Sequence, residues 1–339
     1  MKKSIFLIYC SFLLYHLKAQ DCDVNAIMNV KGKWTTTSDN IVSPDKTFPS
    51  SQYSQLRTRL DKIALLFKEA YPEPAGMEAK WYRSIRGSSL VDKGPVPYQF
   101  NSLYSGWYCN QNLHKLMLGT ETGTWAFVFV NDLHWFLNDQ YDQVWVKING
   151  VTAYLLPKIK EQWNGMPVYE TSAGGQRSKA LLLTTNDRQP YKAVSRLSYM
   201  EAVKQKIEAD KQEQMDLFKK MPDNTAKDQK EENRQKMAKY FDDKISVIND
   251  LSKNYSADEL QQPAIIDNVS NFKYFSTLEK GGRMIVAIDP DYFNLKLPRY
   301  IPQVIMLFWQ WDNSSAALNF KKQVEENFPI DKLKALLDK

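Results

Sequence analysis

The segment Val144 to Leu156, VWVKINGVTAYLL, sets two runs of β-branched and aromatic residues on either side of Asn149-Gly150. Asn and Gly tolerate the left-handed backbone of a two-residue turn, so this dipeptide between strand-like runs is a strong local hairpin signal. Strands joined so tightly must be antiparallel, because a parallel pair needs a crossover of a dozen or more residues. Asn164-Gly165 and Gly174-Gly175 repeat the turn signal, followed by strands at Pro167 to Thr171 and Lys179 to Thr185. Upstream, WAFVFV (Trp125 to Val130) has the texture of a buried strand. The chain is therefore expected to be α+β, an antiparallel β-meander with flanking helices rather than a doubly wound parallel sheet.

Helical periodicity places the flanking elements. Leu56, Leu60, Ile63, Leu66 and Phe67 recur at three- and four-residue steps, which predicts a helix over Tyr53 to Ala70 stopped by Pro72 and Pro74. Asp23 to Ser51 reads as an irregular opening segment, Gly76 to Tyr98 as loop-rich, and Ser102 to Leu118 as a second helix. Ser198 to Asn254 contains no glycine and one proline, Pro222, which predicts an inserted helical hairpin bending at Pro222-Asp223-Asn224. Met237, Phe241, Ile245, Ile248 and Leu251 form the apolar stripe of its second helix. Beyond it, Phe272 to Leu278 and Arg283 to Ile288 flank Gly281-Gly282 as a hairpin. Gln303 to Trp311 is a strand, and Ser315 to Asn327 and Asp331 to Leu337 are helices.

The organisation that follows has four parts. Residues 1–19, MKKSIFLIYCSFLLYHLKA, carry a basic start, an apolar run and a small residue at Ala19, the pattern of a secretory signal peptide. Residues 20–197 form an aromatic-rich α+β region and residues 198–262 the charged hairpin. Residues 263–339 form a C-terminal hairpin, strand and two helices that pack with the first region. The apolar run is shorter than the roughly 20 residues of a membrane span, and nothing downstream resembles one. The expected product is an exported protein of the periplasm or extracellular space, associated with the cell envelope.

Removing the leader changes the charge and the chemistry available. The net charge of +6 falls to +3 with the loss of Lys2, Lys3 and Lys18. The hairpin from Glu201 to Lys253 balances twelve basic against twelve acidic residues, which argues against a nucleic-acid-binding arm. Cys10 leaves with the leader, so Cys22 and Cys109 remain as the candidate disulfide of an oxidising compartment, the alternative being two unpaired buried thiols.

Motifs for nucleotide, metalloprotease, serine-hydrolase and dithiol chemistry are absent from the sequence. Only His114 and His134 remain after cleavage. Asp132 and His134 lie two apart after the WAFVFV strand and so share a face. With His114, and with Glu121 nearby in sequence, they form the candidate zinc or iron set, two imidazoles and a carboxylate with a position open for water. Satisfied structural histidines are the alternative. Cys109 with His114 could act as nucleophile and base only if Cys109 is unpaired. Asp289-Pro290-Asp291 offers two carboxylates for calcium without the other oxygen ligands at recognisable spacing. No cofactor is indicated. Seven of nine tryptophans fall in the first half, and Trp81, Trp107 and Trp135 are the candidates for an aromatic binding surface, with core filling as the alternative.

DRQPYKAVSRLSYMEAVKQKI (Asp187 to Ile207) and the tail from PDYFNLKLPRYIPQVIMLFWQWD onward resemble a group of uncharacterised exported proteins of Bacteroidetes-type bacteria. The resemblance implies export and a strand leading through a turn into a long charged helix, and it carries no catalytic residue with it. Two functional classes follow. The favoured one is a non-catalytic binding or interaction protein whose partner is an envelope protein or glycan. The other is an exported hydrolase using carboxylates or the His/Asp set.

Overall fold

The computed structural model describes residues 22–41, 46–87, 89–120, 123–137, 143–171, 177–221, 227–267 and 272–339. The leader at 1–19, Glu121, Gly174-Gly175 and Pro222-Asp223-Asn224 lie outside the described residues. The first half contains α1 (Val24–Met28), β1 (Trp34–Thr36), β2 (Asn40–Ile41), α2 (Tyr53–Ala70), β3 (Met77–Ile85), β4 (Tyr98–Asn110), β5 (Lys115–Leu118), β6 (Thr124–Val130) and α3 (His134–Leu137). Then follow β7 (Gln143–Ile148), β8 (Val151–Leu155), β9 (Ile159–Trp163), β10 (Met166–Glu170), β11 (Ser178–Thr184) and β12 (Tyr191–Ala193). The remainder is α4 (Arg196–Lys220), α5 (Lys227–Lys253), α6 (Ala257–Gln261), β13 (Ile265–Ile266), β14 (Arg283–Ile288), β15 (Val304–Gln310), α7 (Ser315–Asn327) and α8 (Ile330–Lys334).

These elements form four layers. The central layers are a ten-stranded sheet, ordered β1-β3-β4-β6-β15-β11-β10-β9 with β2 beside β3 and β5 beside β4, and a five-stranded sheet, ordered β12-β14-β8-β7 with β13 beside β14. Alternation along the large sheet divides its side chains between two cores. Ala126, Val128 and Val130 of β6 face α2, α7 and α8, where Leu60, Phe67, Phe320 and Leu333 meet them. Phe127 and Phe129 face the other way, onto Tyr154 and Val286 of the smaller sheet. The far side of that sheet, with Val144, Val146, Leu155 and Ile285, is covered by Tyr199 and Ala202 of α4. Burial on both sides explains why β6 and β15 are nearly continuous apolar runs.

The fold is α+β with mostly antiparallel pairing and an inserted helical pair. Asn149 and Gly150 (φ 51° and 83°) and Asn164 and Gly165 (φ 51° and 78°) take the left-handed backbone their turns require. β9, β10 and β11 form the consecutive antiparallel run expected of a meander, while the β7–β8 hairpin belongs to the second sheet. β15, from the far end of the chain, pairs on one edge with β6 and on the other with β11.

Three local expectations are corrected. Ser102 to Leu118 is not a helix but most of β4 followed by β5. Tyr98, Phe100 and Tyr104 face one core, and Gln99 and Asn101 are buried on the opposite side, with β3 and β6 pairing along the two edges. Pairing with segments distant in sequence overrides local helical periodicity here. The Gly76 to Tyr98 stretch contains β3, whose buried Met77, Ala79 and Trp81 alternate with less buried neighbours; the glycines and prolines after it obscure that period. Phe272 to Leu278 forms no strand. β14 pairs instead with β13, β8 and β12, and Phe272 and Phe275 pack against Tyr199.

A buried ion network ties the large sheet to its helical cover. The Lys179 ammonium on β11, with its side chain 5% exposed, lies 2.5 Å from Glu161 of β9 and 2.8 Å from Glu325 of α7. Trp309 Nε1 donates to the same Glu325 at 3.1 Å, and Lys321 pairs with it from one turn back. Desolvation opposes the charged form of Lys179, but hydrogen bonds to the two carboxylates outweigh it and hold the pKa above the ordinary lysine value.

Candidate functional site

The smaller sheet ends at β7, and the geometry of that edge creates a cleft. Between the Gln143–Tyr154 and Lys147–Thr152 pairs, the three residues Val144, Trp145 and Val146 stand opposite the single Ala153 of β8. Such a bulge bends a strand and redirects its side chains. Val144 and Val146 turn into the core beneath the helices. Trp145 adopts φ 59° and remains 63% exposed. A bulky residue in the left-handed region is an outlier that costs on the order of 1–3 kcal/mol and persists only where its surroundings impose it.

The helical hairpin supplies the facing wall. On α4, Tyr199, Val203, Lys206 and Ile207 fall at the zero, four, seven and eight steps of one helical face, and Lys244, Val247 and Ile248 fall at the zero, three and four steps of a face of α5. Phe272 and Lys273 close the cleft from the segment that precedes β14, enclosing a volume of about 280 Å³. Tyr199 is buried under the edge of the Phe272 ring, 5.0 Å between centroids, and burial pushes its phenol well above the ordinary value. Lys206 pairs with Asp210 one turn further along α4, and Lys244 lies 4.4 Å from the Tyr240 ring centre. Three lysines and no carboxylate line the cleft among the described residues.

The expected metal set is not assembled. Asp132 is buried, and its Oδ1 accepts from the His134 backbone N–H at 2.9 Å and contacts His134 Nδ1 at 2.8 Å. Desolvation pushes Asp132 upward, yet the hydrogen bonds and charge of His134, with Arg86 further away, hold it below the usual carboxylate range. Arg86 is itself held by Gln99 at 2.7 Å, within a buried chain of side-chain hydrogen bonds through Asn101 to Ser84. His114, by contrast, sits exposed in the β4–β5 turn with φ 47°. Asp132 follows the end of β6 that pairs with Tyr98, whereas His114 lies beyond Asn110, the opposite end of β4. The length of β4 therefore separates them, about 40 Å at the rise of an extended strand. Among the described residues no three His, Cys, Asp or Glu side chains converge as metal ligands.

The other sequence candidates are placed as follows. Cys22 and Cys109 form a disulfide with Cα atoms 5.4 Å apart, tying the segment before α1 to β4 and removing Cys109 as a nucleophile. Asp289 and Asp291 do not form a calcium loop; the Lys192 ammonium lies 2.7 and 3.0 Å from their carboxylates. Trp81 is buried between α2 and the large sheet beside Phe100. Trp135 packs on the opposite face against Phe127, Phe129 and Phe308, and Trp107 is half-buried on β4 near the disulfide. These three rings share no surface, so they do not form the aromatic platform the sequence suggested.

The exposed aromatic of the site is Trp145, which the sequence reading passed over. Its signal was present, because Val144 and Val146 flank it in a period-two pattern that sends the tryptophan outward if the valines go in. The bulge and the edge position of β7 were not legible. No family model matches the chain, and no curated protein or solved structure matches it. No helix among the described residues is long and apolar enough to cross a membrane.

Proposed function

We propose that the protein is an exported, non-catalytic binding protein of the bacterial cell envelope, and that it holds a small apolar ligand in the cleft between β7 and the α4–α5 hairpin. The observation that carries this reading is Trp145, a large aromatic kept exposed in a costly backbone conformation at the mouth of an apolar concavity. The cysteine pair at disulfide distance supports an oxidising location.

Addition of 1-naphthol, a neutral apolar fluorophore, is expected to draw energy from tryptophan in the native protein. Val203→Asp, which puts a charge into the cleft wall, should abolish the signal, and Trp145→Phe should reduce it. A signal unaltered in both variants would move the ligand site elsewhere. Export is tested by the mass of the protein recovered from the envelope fraction, expected to begin at Gln20.

The hydrolase reading retains the contact of Asp132 with His134, an arrangement in which a carboxylate can orient a general base. The same carboxylate accepts from the backbone at the start of α3, which accounts for it without chemistry.

A further inference from the structure

We infer that the ligand of the cleft is an anionic amphiphile, a short aliphatic body ending in a carboxylate, with the head between Lys206 and Lys244. The inference rests on the cleft being a ligand site and adds the ligand's chemistry. A volume of about 280 Å³ accommodates roughly nine water-sized groups at about 30 Å³ each, which suits a medium-length acyl chain and is too small to enclose a peptide helix or an oligosaccharide.

The wall chemistry narrows the class further. Val203, Ile207, Val247 and Ile248 face Trp145 and Phe272, and among the described lining side chains the polar ends are three ammonium groups, the Tyr199 phenol and the Trp145 indole N–H. No carboxylate or amide is present among them to accept from sugar hydroxyls, while lysine only donates. A ligand that fits must therefore bring apolar surface and an acceptor, and a negative charge answers three lysines best.

The positions of the lysines give the ligand a direction. Lys211 of α4 pairs with Asp242 of α5 at 2.6 Å, and Met200, earlier on α4, packs with Ile248 and Leu251, later on α5, so the two helices run antiparallel. Lys206 is therefore one turn nearer the hairpin tip than Val203, and Lys244 is one turn nearer it than Ile248. Tyr199, Val203 and Ile248 lie toward the body of the protein and Lys206 and Lys244 toward the tip, with Ile207 beside Lys206 and Lys273 on the wall next to Phe272, so the chain enters inward and the head remains between the two helix lysines. Lys206 is free to re-aim, because its pair with Asp210 is a surface one, worth at most about 1 kcal/mol.

Calorimetric titration of the full protein with octanoate, octan-1-ol and octylammonium tests the inference. Octanoate is expected to bind at least tenfold more tightly than octan-1-ol, octylammonium should bind most weakly, and Lys206→Gln with Lys244→Gln should bring octanoate down to the level of the alcohol. Circular dichroism of the double variant checks folding, which two exposed positions should not disturb. Equal binding of acid and alcohol overturns the charge assignment while leaving the cleft a ligand site. Failure of both, with 1-naphthol also silent, overturns the site itself. Co-sedimentation with anionic vesicles without any octanoate binding would make the lysines a membrane-contact surface and overturn the inference.

Discussion

Replacing Lys179 by methionine should destabilise the protein by about 2–3 kcal/mol at neutral pH, less than the roughly 3–5 kcal/mol of a fully buried broken pair. Methionine fills the volume of the buried stem but removes the ammonium held at 2.5 Å by Glu161 and at 2.8 Å by Glu325. The reduction has two structural reasons. Glu161 is 43% exposed and can rehydrate, and Glu325 keeps Trp309 Nε1 at 3.1 Å and its pair with Lys321. The effect carries a pH signature. Desolvation pushes Glu325 upward, but Lys179, Lys321 and Trp309 outweigh it and hold the carboxyl below its unfolded value of 4.5. A group lowered in this way stabilises the fold fully above its unfolded pKa and loses that contribution as the pH falls through the folded one. The native protein should therefore lose stability below about pH 5 more steeply than the variant, and the cost of the substitution should shrink with acidification. Urea titration followed by tryptophan fluorescence at pH 7 and pH 3.5 reads both quantities. The double variant Lys179→Met with Glu325→Gln should recover at least about 1 kcal/mol of the single-variant loss, because it removes a partly buried carboxylate that has lost one of its two lysine partners. A cost below about 1 kcal/mol at pH 7, or an equal cost at both pH values, would refute the reasoning.

Reduction of the disulfide, or Cys22→Ser with Cys109→Ser, should lower stability by about 4–5 kcal/mol on the chain-entropy argument for a separation of 87 residues, and an unchanged urea midpoint in reductant would contradict it. Asp132→Ala should cost about 1–2 kcal/mol in thermal unfolding by leaving the first amide of α3 without its acceptor, and Asp132→Asn, whose amide oxygen can still accept, should recover most of that loss. Trp145→Ala should abolish octanoate binding while costing little stability, since most of the ring is outside the core; a large drop in melting temperature would mean the ring is structural.

Elements whose signals lie within a few residues were legible without coordinates. Tyr53–Ala70 and Ser315–Asn327 match the expected helices residue for residue, and the Asn149-Gly150 turn joins two strands as its backbone preference requires. The helical pair inserted after β12 was legible from the absence of glycine across a long charged stretch. β4 was not. Its Leu103 and Trp107 stand four apart, as they would on one face of a helix, and only β3 on one edge and β6 on the other give its amides better partners than its own carbonyls.

The candidate site shows the same division more sharply. Asp132 and His134 were expected to share a face and do meet, because two residues' spacing on one chain is enough to bring them together. His114 was expected beside them and lies at the other end of β4, because strand direction is set by pairing and not by proximity in sequence. The cleft at Trp145 needs β7 to be an edge strand, a three-against-one bulge, and a helical hairpin from elsewhere in the chain laid across it. By itself the sequence determined the two Asn-Gly turns, the long helices and the mostly antiparallel character, since each follows from backbone preference and side-chain period over one short segment. Only the tertiary structure decided that β15 closes the large sheet between β6 and β11, which tryptophans are buried, and which one is left at a cleft. Those outcomes depend on contacts between segments far apart along the chain, whose free energy no local pattern contains.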